Sequence, residues 1–475
     1  MTEPTRLTLA EALASARETR DLTLGRGVVN QTAAIFARHF PGRTAVIVTD
    51  GKNHERAAVA VGTSFAAGGI ARQPDFVYPQ TSLYAESPHV ATLEESLRLH
   101  DAIPVAVGSG TINDLVKLAA HRAGRESYLC VATAASMDGY TAFGASITHE
   151  GAKQTFSCPA PRAVVADLDV IAGAPPEMTA AGYADLLAKV TAGADWILAD
   201  ALGEEPVDPR AWAIVQGGLR DALADPEGAR LGRVSAIGPL TEGLMLGGFA
   251  MQWSRTSRPA SGAEHQFSHL WDMEHHTHRG EAPSHGFKVG LATHAVTRLY
   301  EALLAEDFGS LDIDAAVHAW AASPVNNEAA IRARFHGCDF VETAVTEARA
   351  KAIEAPPLRT QLQRLRGEWP AIRSRLRSQL LPAEEVKRRL AGVGAPTEPE
   401  EIGLSRARLR DTFLRAFHIR RRFTVLDVAV RTNRLESWLD RIFGPGAVWD
   451  TNEGRKGRAE PRPGVQPPGD TGKHG

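Results

Sequence analysis

The stretch Ile103–Gly124, IPVAVGSGTINDLVKLAAHRAG, contains the three features that decide the fold. It starts with a short apolar run, passes through the turn Gly108-Ser109-Gly110, and continues as a segment with helical spacing. A buried strand followed by a glycine turn and a helix is the repeating unit of parallel sheets that bind nucleotides. We therefore expect an α/β domain around this stretch.

The glycine turn also has chemical meaning. Two glycines beside a serine let main-chain amides approach a ligand closely, and a helix that begins at Thr111 directs its positive dipole end toward an anion such as a pyrophosphate. Any tight connection between a strand and a helix favours glycine as well, so the turn alone leaves that simpler interpretation open.

Further apolar runs bounded by turn residues extend the strand pattern to both sides. We predict strands over Thr44–Thr49, Tyr128–Thr133 and Ala163–Leu168. Ligands of parallel sheets bind at the carboxyl ends of the strands, which is where Asp50 and Asp138 lie. Asp50 is thereby a candidate for holding a ribose hydroxyl, and Asp138 for holding a substrate hydroxyl.

The pattern changes at the glycine and proline run Ala172–Pro176, after which the chain has helical periodicity throughout. We predict a nucleotide-binding α/β domain over residues 1–175 and an all-α domain over residues 176–450. Residues 451–475 contain almost no apolar side chains, so burial cannot offset their ordering entropy. We expect this tail to be disordered.

The stretch Ser261–Gly290 contains six of the chain's 17 histidines. His265 opens a predicted helix, and His285 opens the next one after a break at Gly280 and Pro283. A catalytic transition metal needs ligands from separate elements and an open position, which these two histidines provide if the chain doubles back. The alternative is a solvated polar loop with incidental histidines.

A carboxylate for such a metal is offered by Asp185, in a long apolar helix predicted over Thr179–Asp200. Lys189 follows one turn later, so the two can instead form a solvent-exposed ion pair worth about 0.2–0.5 kcal/mol. If Asp185 turns inward, it completes three protein ligands with one open position, which is the pattern of catalytic metal sites.

Composition excludes several classes of protein. A net charge of −3 and an isoelectric point near 6.6 provide no basic field, so neither nucleic acid nor membrane insertion is expected, and the cluster Arg420–Arg422 is interpreted as solvated. The three cysteines lack metal-ligand spacing, and no run of eighteen apolar residues or secretory leader is present. These features favour a cytoplasmic protein.

The motifs GSGTIND, TAASMDGY, GYADLLAK, GAEHQFSH and PSHGFK occur in this order between residues 23 and 444. Together they resemble the sn-glycerol-1-phosphate dehydrogenase family of the dehydroquinate-synthase-like and iron-containing alcohol dehydrogenase superfamily. The resemblance implies an N-terminal Rossmann-like domain that binds NAD or NADP, a helical C-terminal domain, and an active site in the cleft between them.

The resemblance also implies roles for single residues. Asp185, His265 and His285 match the metal ligands, with zinc expected and nickel or iron as alternatives. His269 is implied to relay a proton or, together with Asp138 and Asp185, to contact the substrate. The residues implied to bind the cofactor are Asp50, Gly108, Ser109, Gly110, Thr111, Asn113, Asp114, Thr133 and Ser136.

The reaction implied is reversible hydride transfer between NAD(P)H and dihydroxyacetone phosphate, giving sn-glycerol 1-phosphate. Three alternatives stay open: a dehydrogenase of an unphosphorylated polyol, a dehydroquinate-synthase-like cyclase, and a nucleotide- and metal-binding protein without turnover. Asp50 disfavours the 2′-phosphate of NADP, whereas Lys52 and Arg56 nearby could accommodate it. The sequence leaves three points undecided. They are the ligands of the substrate phosphate, the oligomeric state, for which a homo-oligomer is one option, and the role of the charged segment 361–399.

Overall fold

The computed structural model describes residues 6–80, 82–149 and 152–451, without the side chains of residues 54, 56, 152 and 153. The tail predicted over residues 451–475 therefore lies outside the described residues, apart from Thr451. The side chain of Arg56, considered above for NADP, also lies outside them.

A parallel six-stranded sheet organises the first part of the chain. Its strand order is β1-β8-β5-β4-β2-β3, and every neighbouring pair is parallel. The strands are β1 (Asp21–Gly25), β2 (Ala45–Asp50), β3 (Phe76–Tyr78), β4 (Ile103–Gly108), β5 (Leu129–Ala132) and β8 (Ala163–Asp167). A separate antiparallel hairpin consists of β6 (Ala145–His149) and β7 (Ala152–Phe156).

Helices cover the sheet and form the remainder of the chain. Those up to residue 175 are α1 (Leu9–Ser15), α2 (Thr32–His39), α3 (Gly51–Asn53), α4 (Val59–Ala67), α5 (Ser87–Arg98), α6 (Gly110–Arg122) and α7 (Leu168–Ala172), with a π-helical stretch over His54–Ala58 between α3 and α4. Short 3-10 turns lie at Val28–Gln31, Arg258–Ala260, Phe308–Ser310, Pro324–Asn326 and Pro399–Ile402.

The helical part runs from residue 176 to residue 443. Its helices are α8 (Pro176–Leu187), α9 (Lys189–Ala201), α10 (Pro209–Gln216), α11 (Leu219–Ala222), α12 (Pro226–Arg230), α13 (Val234–Ser254), α14 (Ala263–Met273), α15 (His285–Leu304), α16 (Ile313–Ala321), α17 (Glu328–Arg334), α18 (Val341–Lys351), α19 (Ala355–Gln379), α20 (Ala383–Val393), α21 (Arg406–Ala416), α22 (Val425–Arg431) and α23 (Leu435–Phe443).

This architecture confirms the predicted α/β part followed by a helical part. Strands β2, β4, β5 and β8 were predicted, because strands buried on both faces are continuous apolar runs. The edge strands β1 and β3 and the hairpin were not predicted, since they are short and only partly buried and lack such a run. In the helical part, α8 and α14 both pack against α15.

Helix α13 has the length and composition of a membrane span, but 67% of its most apolar window is buried. It packs against α1, α8, α10 and α12. Its apolar character is therefore explained by its position in the protein core.

Candidate active site

Three neighbouring helices bring together the residues predicted to bind a metal. Asp185 lies in α8, His265 in the first turn of α14, and His285 at the start of α15. One ligand atom from each lies within 4.8 Å of the others, and the Nε2 atom of His265 is 3.6 Å from the Oδ1 atom of Asp185. Two imidazoles and a carboxylate from separate helices suit a divalent transition metal that keeps an open coordination position.

Hydrogen bonds orient both imidazoles. The Nδ1 atom of His265 lies 2.8 Å from the Oε1 atom of Glu264, and the Nδ1 atom of His285 lies 3.4 Å from the Ser268 hydroxyl. A proton on Nδ1 leaves the Nε2 lone pair of each ring for a metal. The donor set thus fits a metal in its geometry, and the Glu264 carboxylate favours the required proton position on His265.

Glu264 is a supporting residue that sequence reasoning missed. It is completely buried and also accepts hydrogen bonds from the Gly262 amide (2.6 Å) and the Thr191 hydroxyl (2.8 Å). Burial acts to raise the pKa of this carboxyl, but the hydrogen bond and charge of His265 and the hydrogen bonds from Gly262 and Thr191 together outweigh that effect, and the pKa is lowered. Glu264 therefore stays ionised and holds His265 by a charge-assisted hydrogen bond.

The surface ion pair considered for Asp185 and Lys189 is wrong, because both residues are completely buried. The predicted single helix is also interrupted at Ala188, where the Lys189 ammonium donates to the Asp185 carbonyl oxygen (2.8 Å). The ammonium lies 2.8 Å from the Oδ1 atom of Asp185 and 2.7 Å from the Oδ2 atom of Asp138. Lys189 thus bridges the two acidic residues predicted to face metal and substrate.

The pKa values of the Asp185 and Asp138 carboxyls are shifted in opposite directions. Burial acts to raise the pKa of Asp185, but Lys189 and the two histidines hold it well below its usual range. Burial and the charge of Asp185 raise the pKa of Asp138, although Lys189 opposes this shift. The Asp138 amide donates to the Oδ2 atom of Asp185 (3.2 Å), so the two residues are also connected through the main chain.

His269 lies beside the three candidate ligands. Its ring centroid is 6.3 Å from that of His265 and 6.3 Å from that of His285, and its side chain is partly exposed. The structure therefore places a third imidazole at the site, outside the ligand set. The role of His269 in proton transfer stays a prediction.

The residues predicted to bind the cofactor lie at the carboxyl edge of the sheet. Gly108 ends β4, Ser109 precedes α6, and Gly110 is the first residue of that helix. A Cβ atom on Gly108 would lie 2.6 Å from Ile112, and one on Gly110 would lie 2.6 Å from the Met137 sulfur. Packing against Ile112 and Met137 therefore already favours glycine at these two positions. This supports the simpler interpretation, in which the glycines serve the tight connection between strand and helix.

Other candidates at this edge have defined neighbours. The Asp50 carboxylate accepts hydrogen bonds from the main-chain and side-chain nitrogens of Asn53, both at 2.8 Å. The Thr133 amide donates to the Gly108 carbonyl (3.2 Å), and the Ser136 hydroxyl lies 3.4 Å from that of Tyr140. Thr111 is partly exposed at the start of α6.

The side chains of Asn113 and Asp114 form hydrogen bonds inside the protein and do not face the glycine turn. Asn113 accepts a hydrogen bond from the Tyr128 hydroxyl (2.9 Å), and Asp114 accepts one from the Ser146 amide (3.2 Å). Both residues are buried. If this turn binds a pyrophosphate, main-chain amides are the groups that contact it.

Lys117, which sequence reasoning also missed, lies one turn further along α6. Its buried ammonium donates to the carbonyl oxygens of Gly139 (2.9 Å), Ala142 (2.9 Å) and Gly144 (3.0 Å). These carbonyls belong to the segment immediately after Asp138. The signal in the sequence was a lysine between the apolar pairs Leu115-Val116 and Leu118-Ala119.

Comparison with known proteins finds relatives with a common name. The family model described as iron-containing alcohol dehydrogenase matches residues 23–175. A glycerol-1-phosphate dehydrogenase (NAD(P)+) of Halalkalibacterium halodurans is 34% identical over 287 residues, which are 60% of this chain and 71% of the relative. The enzyme of that name from Pyrococcus furiosus is 32% identical over 276 residues, 58% of this chain and 76% of the relative.

Solved structures share the fold at low sequence identity. A probable glycerol dehydrogenase from Sinorhizobium meliloti superposes with a TM-score of 0.56 at 17% identity, covering 89% of this chain and 98% of its own. Glycerol dehydrogenase from Schizosaccharomyces pombe gives a TM-score of 0.56 at 14% identity, covering 93% and 92% of the two chains. These two structures confirm the predicted fold class.

Proposed function

The chain belongs to the glycerol-1-phosphate dehydrogenase family of the iron-containing alcohol dehydrogenase superfamily, and we propose that it reversibly reduces dihydroxyacetone phosphate to sn-glycerol 1-phosphate with NAD(P)H. The observation that carries this proposal is the cluster of Asp185, His265 and His285 beside Asp138. The glycine turn lies close to Asp138, because Gly110 packs against Met137, the residue before Asp138.

The metal is proposed to be zinc, held by Asp185, His265 and His285. A divalent metal in this position supplies Lewis acidity toward the C2 oxygen of the substrate. Glu264 and Ser268 fix the ring orientations that such binding requires. Lys189 keeps Asp185 and Asp138 together by placing one positive charge between two negative ones.

Two residues are proposed to act on the substrate. Asp138 accepts a hydrogen bond from a substrate hydroxyl, since its carboxylate lies beside Lys189 at the edge of the site. His269 gives a proton from its ring to the substrate oxygen during reduction and takes one during oxidation, since an imidazole ring can both donate and accept a proton. Its position next to both His265 and His285 supports this assignment.

The dinucleotide is proposed to lie across the carboxyl ends of β2 and β4. The first amides of α6 would receive the pyrophosphate, where the helix dipole favours negative charge. Asp50 would accept hydrogen bonds from the adenosine ribose, and its negative charge beside the 2′ position favours NAD over NADP. Asn53 holds the Asp50 carboxylate in place for this contact.

A cytoplasmic location and a homo-oligomeric state are also proposed. Cys130, Cys158 and Cys338 form no disulfide, which suits a reducing compartment. Strand β3 is an edge of the sheet, and its Val77 is 38% exposed, so this edge is the candidate for self-association. Light scattering on the purified protein would measure its mass in solution.

The test is reduction of dihydroxyacetone phosphate by zinc-reconstituted protein, with loss of NADH and of NADPH followed separately. The chirality of the product is assigned enzymatically, and unphosphorylated dihydroxyacetone is the comparison substrate. Production of sn-glycerol 1-phosphate by the native chain, but not by His265→Ala, is the expected result. Bound metal and cofactor without turnover of the phosphorylated substrate would refute the proposal.

A further inference from the structure

The arginine triplet Arg420–Arg422 differs from the solvated cluster expected from the sequence. Only Arg421 is exposed, and its guanidinium contacts both carboxylate oxygens of Glu347 (2.7 and 3.1 Å). Arg420 and Arg422 are partly buried in the segment between α21 and α22. The triplet therefore contains one neutralised arginine and two whose charge must be balanced in another way.

Neither of these two arginines has an acidic partner within hydrogen-bond distance. Arg422 donates to the Ser261 carbonyl (2.7 Å) and the Ser257 hydroxyl (2.8 Å), which are uncharged. Within the part of the chain that the structure describes, Arg420 makes no hydrogen bond or ion pair, and Glu347 is the one acid that acts on it electrostatically. The Glu347 carboxylate already forms an ion pair with Arg421.

A third cation, Arg258, lies in the same region, and Glu205 partly balances its charge. Arg258 is 1% exposed and lies 3.2 Å from Glu205, while its other nitrogens donate to main-chain carbonyls. Burial, together with the charges of Arg258 and Arg420, lowers the pKa of Arg422 to about 9. Proteins rarely remove charged groups from water without supplying opposite charge, so this region is suited to receive an anion.

A cavity of about 300 Å³ lies over the triplet, lined by the three arginines with Thr343, Glu347 and Ile419. We propose that this cavity binds a phosphate dianion between the guanidinium groups of Arg420 and Arg422. Guanidinium groups match phosphate oxygens through paired N–H donors, and the Thr343 hydroxyl can add a further donor. The existence of this site does not depend on the catalytic assignment above, and only its assignment to the phosphate of the substrate rests on the proposed function.

The proposed site is connected to the candidate metal centre. The Arg422 carbonyl accepts a hydrogen bond from Gln266 (3.3 Å), the residue after His265, and its guanidinium holds Ser261, just before α14. The phosphate can belong either to a free anion or to the phosphorylated substrate. Both sources present the same dianion to the arginines.

Binding of inorganic phosphate, measured by calorimetry at constant ionic strength with saturating NAD+, tests the site. Arg420→Gln removes a group that has no partner within the described residues, so the variant should fold, and we expect at least tenfold weaker binding. Arg377→Gln changes the same net charge at an exposed position of α19, outside the cavity lining, and is expected to stay within twofold of the native chain. Equal affinity of Arg420→Gln and the native chain, or no phosphate binding by the native chain, would overturn the proposal.

Steady-state kinetics then identify the source of the phosphate. A tenfold or larger rise in KM for dihydroxyacetone phosphate in Arg420→Gln, without a change for dihydroxyacetone, assigns the site to the substrate. Unchanged KM values with lost phosphate binding assign it to a free anion. If the native chain turns over neither compound, the catalytic proposal fails while the calorimetric result still decides whether this site exists.

Discussion

The two sides of the candidate active site are built in different ways. On the helical side, Asp185, His265 and His285 converge as side chains from three helices. On the sheet side, the side chains of Asn113 and Asp114 point into the protein, and the glycine turn presents main chain. Side-chain sites are therefore sensitive to conservative substitution, whereas main-chain sites depend on the segments that hold the backbone in place.

The largest expected effect comes from removing a ligand on the helical side. Asp185→Asn should lose bound metal and lower kcat about 1000-fold or more, since Lewis-acid stabilisation is worth several kcal/mol. Metal content by mass spectrometry and initial rates measure this. His275→Ala, which alters an exposed histidine of the same stretch, is the control and should behave like the native chain.

Lys117→Met should lower kcat/KM for dihydroxyacetone phosphate about 100-fold, because small displacements of a positioned group are costly. The variant loses three hydrogen bonds to the segment after Asp138 but none to the glycine turn. Stopped-flow fluorescence should accordingly give a Kd for NADH close to that of the native chain. Equal loss of cofactor and substrate affinity would show that Lys117 only maintains the fold.

Glu264→Gln should weaken metal binding about 10- to 100-fold while the three ligands remain, as is usual when the partner of a ligating histidine is altered. Competition with a chromophoric chelator measures the metal affinity. Thr191→Val is the matched variant, since it removes a hydrogen bond to the same carboxylate without touching His265. Native affinity in Glu264→Gln would mean that the Glu264 charge does not contribute to metal binding.

Lowering the pH should cause local unfolding in the helical part of the chain before it does so in the sheet part. Burial lowers the pKa of His294, in α15, and of His418, after α21, to about 4 each. The unfolded chain binds these protons near pH 6.5, so stability is complete above that pH and falls toward pH 4 by an amount on the order of 2 kcal/mol per histidine. Hydrogen exchange at pH 5 should show early opening of α15, and His294→Gln should reduce the pH dependence of the melting temperature.

The smallest expected effect concerns the sheet side. Asp114→Asn should change the Kd for NADH by less than about threefold, because its side chain accepts a hydrogen bond from Ser146 instead of facing the turn. Fluorescence titration measures it. A tenfold change would place the Asp114 carboxylate in contact with the cofactor and would remove the contrast between the two sides.

The sequence predicted those parts of the molecule that have strong local patterns. The run from Ile103 through the glycine turn specified β4 and α6, and the spacing of His265 and His285 anticipated their convergence with Asp185. Asp185 was left undecided, because the sequence near it does not show which face of the helix is buried. The roles of these residues stay predictions, although the structure brings them together.

The parts that were missed depend on contacts distant in sequence. Glu264 contacts Thr191 across 73 residues, and Lys117 reaches carbonyls 22 to 27 residues away. No local periodicity reports such pairs. Arg420 and Arg422 were assigned to solvent because neighbouring charges usually face water, whereas both are partly buried and Arg422 donates to Ser257 and Ser261, before α14.

Helix α6 has a consequence for protein engineering. It begins at Gly110, two residues after Gly108 ends β4, and one of its later residues, Lys117, donates hydrogen bonds to the loop that follows Asp138. Exchanging only the glycine turn for that of a relative would join a foreign start of α6 to the native Lys117 and the loop that Lys117 holds, and it would leave Asp50, proposed above to favour NAD, unchanged. The smallest interchangeable cassette is therefore residues 108–144, which transfers the cofactor turn and the substrate loop as one unit.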